Sequence, residues 1–88
     1  MENRVRVEID PYDVTNTNRN TIESNCNEIT FVNRADGQVL INGFPLASGE
    51  TLRIAAADLT EYNTTKFMFQ NDTATVGFIY VFRKLLVK

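Results

Sequence analysis

The stretch "VLINGFPLASGETLRI", residues 39–54, sets a proline and two glycine turns among alternating apolar residues. It divides into a core strand from Val39 to Ile41, a proline-bearing piece from Phe44 to Leu46, and a return strand from Thr51. Pro45 has no backbone N–H to give to a ladder, which places its segment on a sheet edge or in a corner. Asn42-Gly43 and Ser48-Gly49 turn the chain on either side of that segment. "ETLRI" alternates, with Leu52 and Ile54 directed inward. Once its glycines are assigned to turns, the run retains no group that needs a chemical role. It reads as the corner of a β-sheet and not as a recognition loop.

Upstream, "NEITFVNRADGQVLIN" reads as a hairpin whose register follows from burial. A two-residue Asp36-Gly37 turn would set Phe31 opposite Asn42 and Asn33 opposite Leu40, mixing polar and apolar groups on both faces. A three-residue loop, Ala35-Asp36-Gly37, with Gly37 in the left-handed conformation of a G1 bulge, sets Phe31 opposite Ile41 instead. Ile29, Phe31, Val39 and Ile41 then share one face. Because a one-residue slip inverts every side chain, burial selects this register.

At the N-terminus, "RVRVEI" puts Val5, Val7 and Ile9 on one face and Arg4, Arg6 and Glu8 on the other, a half-buried strand that Pro11 ends. Residues 11–27, "PYDVTNTNRNTIESNCN", are rich in Asn and Thr and lack glycine, with Tyr12, Val14, Ile22 and Cys26 as core anchors. Two readings stand for them: an extended connection, or a polar edge strand through "VTNTNRNTI". A connection of that length in a small domain is usually functional or rests against something else.

"AAADLTEYN" is the helical candidate, with Asp58 and Glu61 at the spacing of a capping box. "KFMFQN" reads as a strand, followed by a turn around "NDTAT". In the closing "VGFIYVFRKLLV", Val76, Phe78, Tyr80 and Phe82 face one way, and Ile79, Val81 and Leu85 the other. A run apolar on both faces is a central strand or one that covers a partner subunit. Gly77 inside it marks a bulge or a close backbone approach. With about six to eight short strands and regular turns, the chain is expected to be all-β. It forms one domain, residues 1–88, as a small antiparallel β-sandwich of jelly-roll-like kind.

At 88 residues, such a domain lies near the lower limit for burying its own core. Cys26 is the sole cysteine, which leaves no intrachain disulfide, and with no histidine the chain offers neither a base for a thiol nucleophile nor a zinc set. A net charge of −2 argues against nucleic acid as the main partner. No run is long and apolar enough for a membrane-spanning helix, and "MENRVRVEID" lacks the apolar core of a signal peptide. Oligomerisation is the supplement that remains.

Candidates for chemistry are few. Asp10, Asp13, Asp58, Glu61 and Asp72 sit where carboxylates ordinarily serve turns and caps. Oxygen-rich loops suit calcium, but the EF-hand spacing is absent. The four glycines are isolated, so no phosphate-cradling loop is present. At strand spacing most aromatics belong to the core. Tyr12 and Tyr62 are the best exposed candidates for stacking on a sugar. Neither catalytic residues, metal, cofactor nor small-molecule substrate is expected. The "RKLLVK" terminus carries Leu85, Leu86 and Val87 beyond what a small sandwich easily covers. The candidate interface is therefore Val76, Phe78, Ile79, Val81, Leu85, Leu86 and Val87.

The stretch "ITFVNRADGQVLINGFPLASGETLRIAAA", with "FMFQND" and "IYVFRKL" after it, resembles small β-sandwich virion proteins of tailed bacteriophages. Val39, Ile41, Asn42, Gly43, Pro45, Leu46, Gly49, Glu50 and Leu52 carry the resemblance, which covers residues 28–84. It implies a structural part of a phage particle: a capsid decoration, a fibre-attachment module, or a tail or connector component. Such a protein would have copies of itself and a larger virion as partners, and would reside in the virion, or in the host cytoplasm during assembly. No catalytic residue is carried over. A carbohydrate- or receptor-binding β-sandwich module is the alternative.

Overall fold

The computed structural model describes residues 4–16, 21–55 and 64–87. Among them eight strands follow one another with no helix between: β1 (Arg4–Asp13), β2 (Thr21–Glu23), β3 (Glu28–Asn33), β4 (Val39–Ile41), β5 (Phe44–Leu46), β6 (Thr51–Ala55), β7 (Lys66–Asn71) and β8 (Phe78–Val87). They form two four-stranded antiparallel sheets, in the orders β1-β8-β3-β6 and β2-β7-β4-β5. The pairs nest: β1 with β8, β2 with β7, β3 with β6 and β4 with β5. The chain is thus one long antiparallel hairpin, rolled so that successive pairs fall alternately in the two sheets. That is the jelly-roll arrangement.

The tip of the rolled hairpin is the corner read from residues 39–54. Asn42 and Gly43 have φ of 51° and 78°, the left-handed pair that a tight two-residue hairpin turn needs. Asn42 also joins the tip to β7, donating its N–H to the Met68 carbonyl at 2.8 Å and accepting the Met68 N–H on Oδ1 at 2.7 Å. Pro45 lies on β5, the edge of its sheet, where its missing donor breaks no ladder.

Between the sheets, Ile29, Phe31, Ile79 and Val81 meet Val39, Ile41, Leu46, Phe67 and Phe69. Phe31 and Phe67 pack edge to face across the gap, with ring centroids 5.2 Å apart. Tyr12, Val14, Ile22 and Cys26, the anchors read in the Asn/Thr-rich segment, are all buried. That segment supplies the end of β1 and the short β2; residues 17–20 lie outside the described set.

Several local expectations differ from the structure. β3 and β4 do not form a hairpin. Phe31 pairs with Leu52 and Val81, whereas Ile41 pairs with Phe44 and Phe69. Ile29, Phe31, Val39 and Ile41 are buried together because they face one another from opposite sheets. Gly37 is accordingly not in the left-handed region; a Cβ there would lie 2.6 Å from the Thr73 carbonyl carbon, so close approach is its reason.

Pro11 does not end β1, which continues to Asp13 because an edge strand tolerates proline. The apolar residues of "RVRVEI" are not the covered ones: Val5, Val7 and Ile9 are exposed, and the opposite parity leads to buried Tyr12. Ile54 is likewise exposed, at the edge strand β6, while Leu52 is partly buried. β8 begins at Phe78, just after Gly77 (φ 125°), where a Cβ would lie 2.5 Å from Ala35 Cα. The helical candidate at residues 55–63, including Asp58, Glu61 and Tyr62, falls outside the described residues beyond Ala55.

Candidate interaction surface

Residues opposite one another in antiparallel strands share a face. In the first sheet Val5 lies opposite Leu86, Val7 opposite Lys84, Ile9 opposite Phe82, Pro11 opposite Tyr80 and Asp13 opposite Phe78. β3 extends this face with Glu28, Thr30 and Val32. The alternate residues, among them Tyr12, Ile29, Phe31, Ile79 and Val81, point into the core. Hence the second sheet covers one face and leaves the other open.

The open face is apolar to an unusual degree. Val5, Val7 and Ile9 are 56 %, 50 % and 58 % exposed, and Phe78 is exposed beside half-buried Tyr80, Phe82 and Leu86. Exposed apolar residues grouped on one face make a candidate interaction surface, where scattered ones would not. β3 reaches along β8 only as far as Lys84, so Val5 and Leu86 lie on a two-stranded extension. The Asn27 side-chain oxygen anchors that extension by accepting the Leu86 N–H at 2.8 Å.

A charged group is set into this face. The Glu28 side chain is only 2 % exposed, with Arg53 Nε at 2.5 Å from Oε1 and Lys84 Nζ at 3.1 Å from Oε2. Burial pushes the carboxyl upward, but the hydrogen bonds and charges of Arg53 and Lys84 outweigh it and hold Glu28 below the ordinary carboxylate range. With Val7, Val32 and Phe82 these groups line an open groove of about 430 Å³.

On the other side of β1 lies an open polar cleft of about 390 Å³, lined by Glu8, Asp10, Thr21, Glu23, Asn25, Arg83 and Tyr12. Arg83 is engaged there, donating from Nε to the Glu23 and Ser24 carbonyls at 2.9 and 3.1 Å, with Asp10 3.8 Å from its Nη1. It ties β8 to β2. No three His, Cys, Asp or Glu side chains among the described residues are grouped to hold a metal. Cys26 is buried, and burial pushes its thiol above the ordinary range, a packing role and not a reactive one.

The predicted interface residues separate by face. Val76 and Phe78 are exposed, Leu86 is half-buried on the open face, and Leu85 packs partly against the core. Ile79 and Val81 are fully buried between the two sheets. Val87 closes β8, with its side chain outside the described set. Of the candidate stacking rings, Tyr12 is buried and packs edge-on against Phe69.

Several polar residues that sequence reasoning passed over hold the opposite end together. Buried Asn33 donates from Nδ2 to the Gly37 and Leu46 carbonyls at 3.0 and 2.8 Å and accepts the Ala35 N–H on Oδ1. Asp36 accepts from the Thr75 hydroxyl and from the Thr75 and Val76 amides, which lowers its carboxyl to about 2. The signal for Asn33 was present: it shares the parity of Ile29 and Phe31, a polar residue on a core face. The open face was hidden because its valines have the pattern of a core strand. Comparison of the chain with protein-family models, with curated proteins and with solved structures found no match.

Proposed function

We propose that this chain is a non-enzymatic structural subunit that associates with copies of itself and docks on a larger particle. The observation that carries this reading is the open apolar face of the first sheet, built from β1 and β8. Burying it would add to the limited core that a domain of this length can build. The jelly-roll order agrees, since that architecture recurs in capsid and lectin domains, although fold alone never assigns function. The sequence resemblance narrows the particle to a tailed-phage virion, with the chain as a capsid decoration, fibre-attachment module or tail or connector component.

The mass of the purified chain in solution tests the first part. A symmetric oligomer at micromolar concentration is expected; a folded monomer at every concentration would contradict it. Mass spectrometry of purified virions tests the second, and absence of the chain from the particle would remove the phage assignment. A carbohydrate- or receptor-binding module would instead yield binding on a glycan array without assembly.

A further inference from the structure

β1 is the edge of its sheet and, among the described residues, pairs in the ladder with β8 alone. Natural proteins usually keep such edges short or break them with charge and proline. This one runs for ten residues, and its first seven read Arg4-Val5-Arg6-Val7-Glu8-Ile9-Asp10. The order of charge is positive, positive, negative, negative, with apolar residues between. It is complementary to itself when reversed.

We propose that two copies of this chain join by antiparallel pairing of β1 with β1 about a two-fold axis at Val7. In that register Arg4 lies opposite Asp10 and Arg6 opposite Glu8 of the second copy, with every cross-strand charge pair opposite in sign. On the open face Val5 meets Ile9 and Val7 meets Val7, so the apolar stripe continues across the junction. A shift by two residues sets Arg6 against Arg6 or Glu8 against Glu8, like-charge pairs that destabilise a ladder. A shift by one sets arginine against valine and brings a charged face against an apolar one.

Pro11 falls one place beyond the seven-residue run, where its lack of an N–H does not interrupt the pairing. Within one chain Arg6 and Glu8 are already 3.4 Å apart, yet their side chains remain 61 % and 52 % exposed, within reach of a second copy. The contact is isologous, as a two-fold dimer requires, and it joins the β1-β8-β3-β6 sheets into one.

This inference rests on the self-association reading and names the edge through which two copies join; the open face, continuous across both copies, stays free for the larger particle. The test reverses charges on exposed positions and follows the monomer–dimer equilibrium by analytical ultracentrifugation. Arg6→Glu and Glu8→Arg should each weaken dimerisation at least about tenfold, because each creates two like-charge pairs. The double variant restores opposite charges and should return to within a few-fold of the parent. In parallel, Val7→Cys treated with oxidised glutathione should give a disulfide-linked dimer, and Met68→Cys on the other sheet should not. A dimer that ignores the charge reversals and does not cross-link at position 7 overturns this register while leaving self-association standing. A monomer at all concentrations overturns both.

Discussion

β1 and β5 are both edge strands, and both contain a proline, but they solve the edge problem differently. β5 is three residues long, held by the tight Asn42-Gly43 turn, and Pro45 sits at its centre. There is little ladder left to extend. β1 is ten residues long, and Pro11 comes late enough to leave Arg4 to Asp10 uninterrupted. Two edges with the same device thus differ in how much pairing capacity they retain. Brevity and a central proline close an edge, whereas a proline near one end limits only how far a partner can run.

The two edges should respond differently to substitution. Phe31→Ala removes the ring that packs on Phe67 between the two sheets. It should cost about 3–5 kcal/mol, a large share of the stability of a small domain, as read by urea denaturation. Asn33→Ala acts on the β5 side, leaving the Leu46 and Gly37 carbonyls and the Ala35 N–H without their partner. The expected loss is about 1–3 kcal/mol, with the association of intact β1 unchanged in ultracentrifugation.

The β1 side should behave in the opposite way. Serine at both Val7 and Ile9 should change subunit stability by only about 0.5 kcal/mol at each exposed site, yet abolish oligomers at micromolar concentration. Phe44→Ser, the matching change at the β5 edge, should leave the oligomer intact. If Phe44→Ser disrupts association while the β1 changes do not, the roles of the two edges are reversed.

A smaller effect concerns pH. The Thr75 hydroxyl, with the Val76 and Thr75 amides, lowers Asp36 from the ordinary 3.8 to about 2 in the folded chain. A depressed carboxyl contributes stability above its unfolded value, and that contribution is lost as pH falls from 3.8 through about 2. Denaturation curves over this range should show a slope that Asp36→Asn reduces. An unchanged slope would remove Asp36 as its source.

Residues 39–54 were legible because turn chemistry is local. Asn42-Gly43, Pro45 and Ser48-Gly49 delimit β4, β5 and β6 without reference to the rest of the chain. Tyr12, Val14, Ile22 and Cys26 were legible as anchors because few apolar residues interrupt a polar segment. The partner of β3 was not legible. Alternation groups side chains by face, and burial between two sheets produces the same pattern as burial in one hairpin. Nor was the open face, since Val5, Val7 and Ile9 alternate as core residues do, and Tyr12, one parity away, decides which side is covered. For the same reason the interface residues expected on β8 mixed the two faces, taking in Ile79 and Val81.

The most direct measurement is amide hydrogen exchange at the two edges as protein concentration rises through the micromolar range. Those amides of Arg4 to Ile9 that are not bonded to β8 should become protected in step with oligomer formation, while Phe44 and Leu46 exchange at constant rates. Exchange in β1 that is the same at every concentration, in a chain whose mass shows it to be assembled, would contradict the assignment of this edge as the site of association.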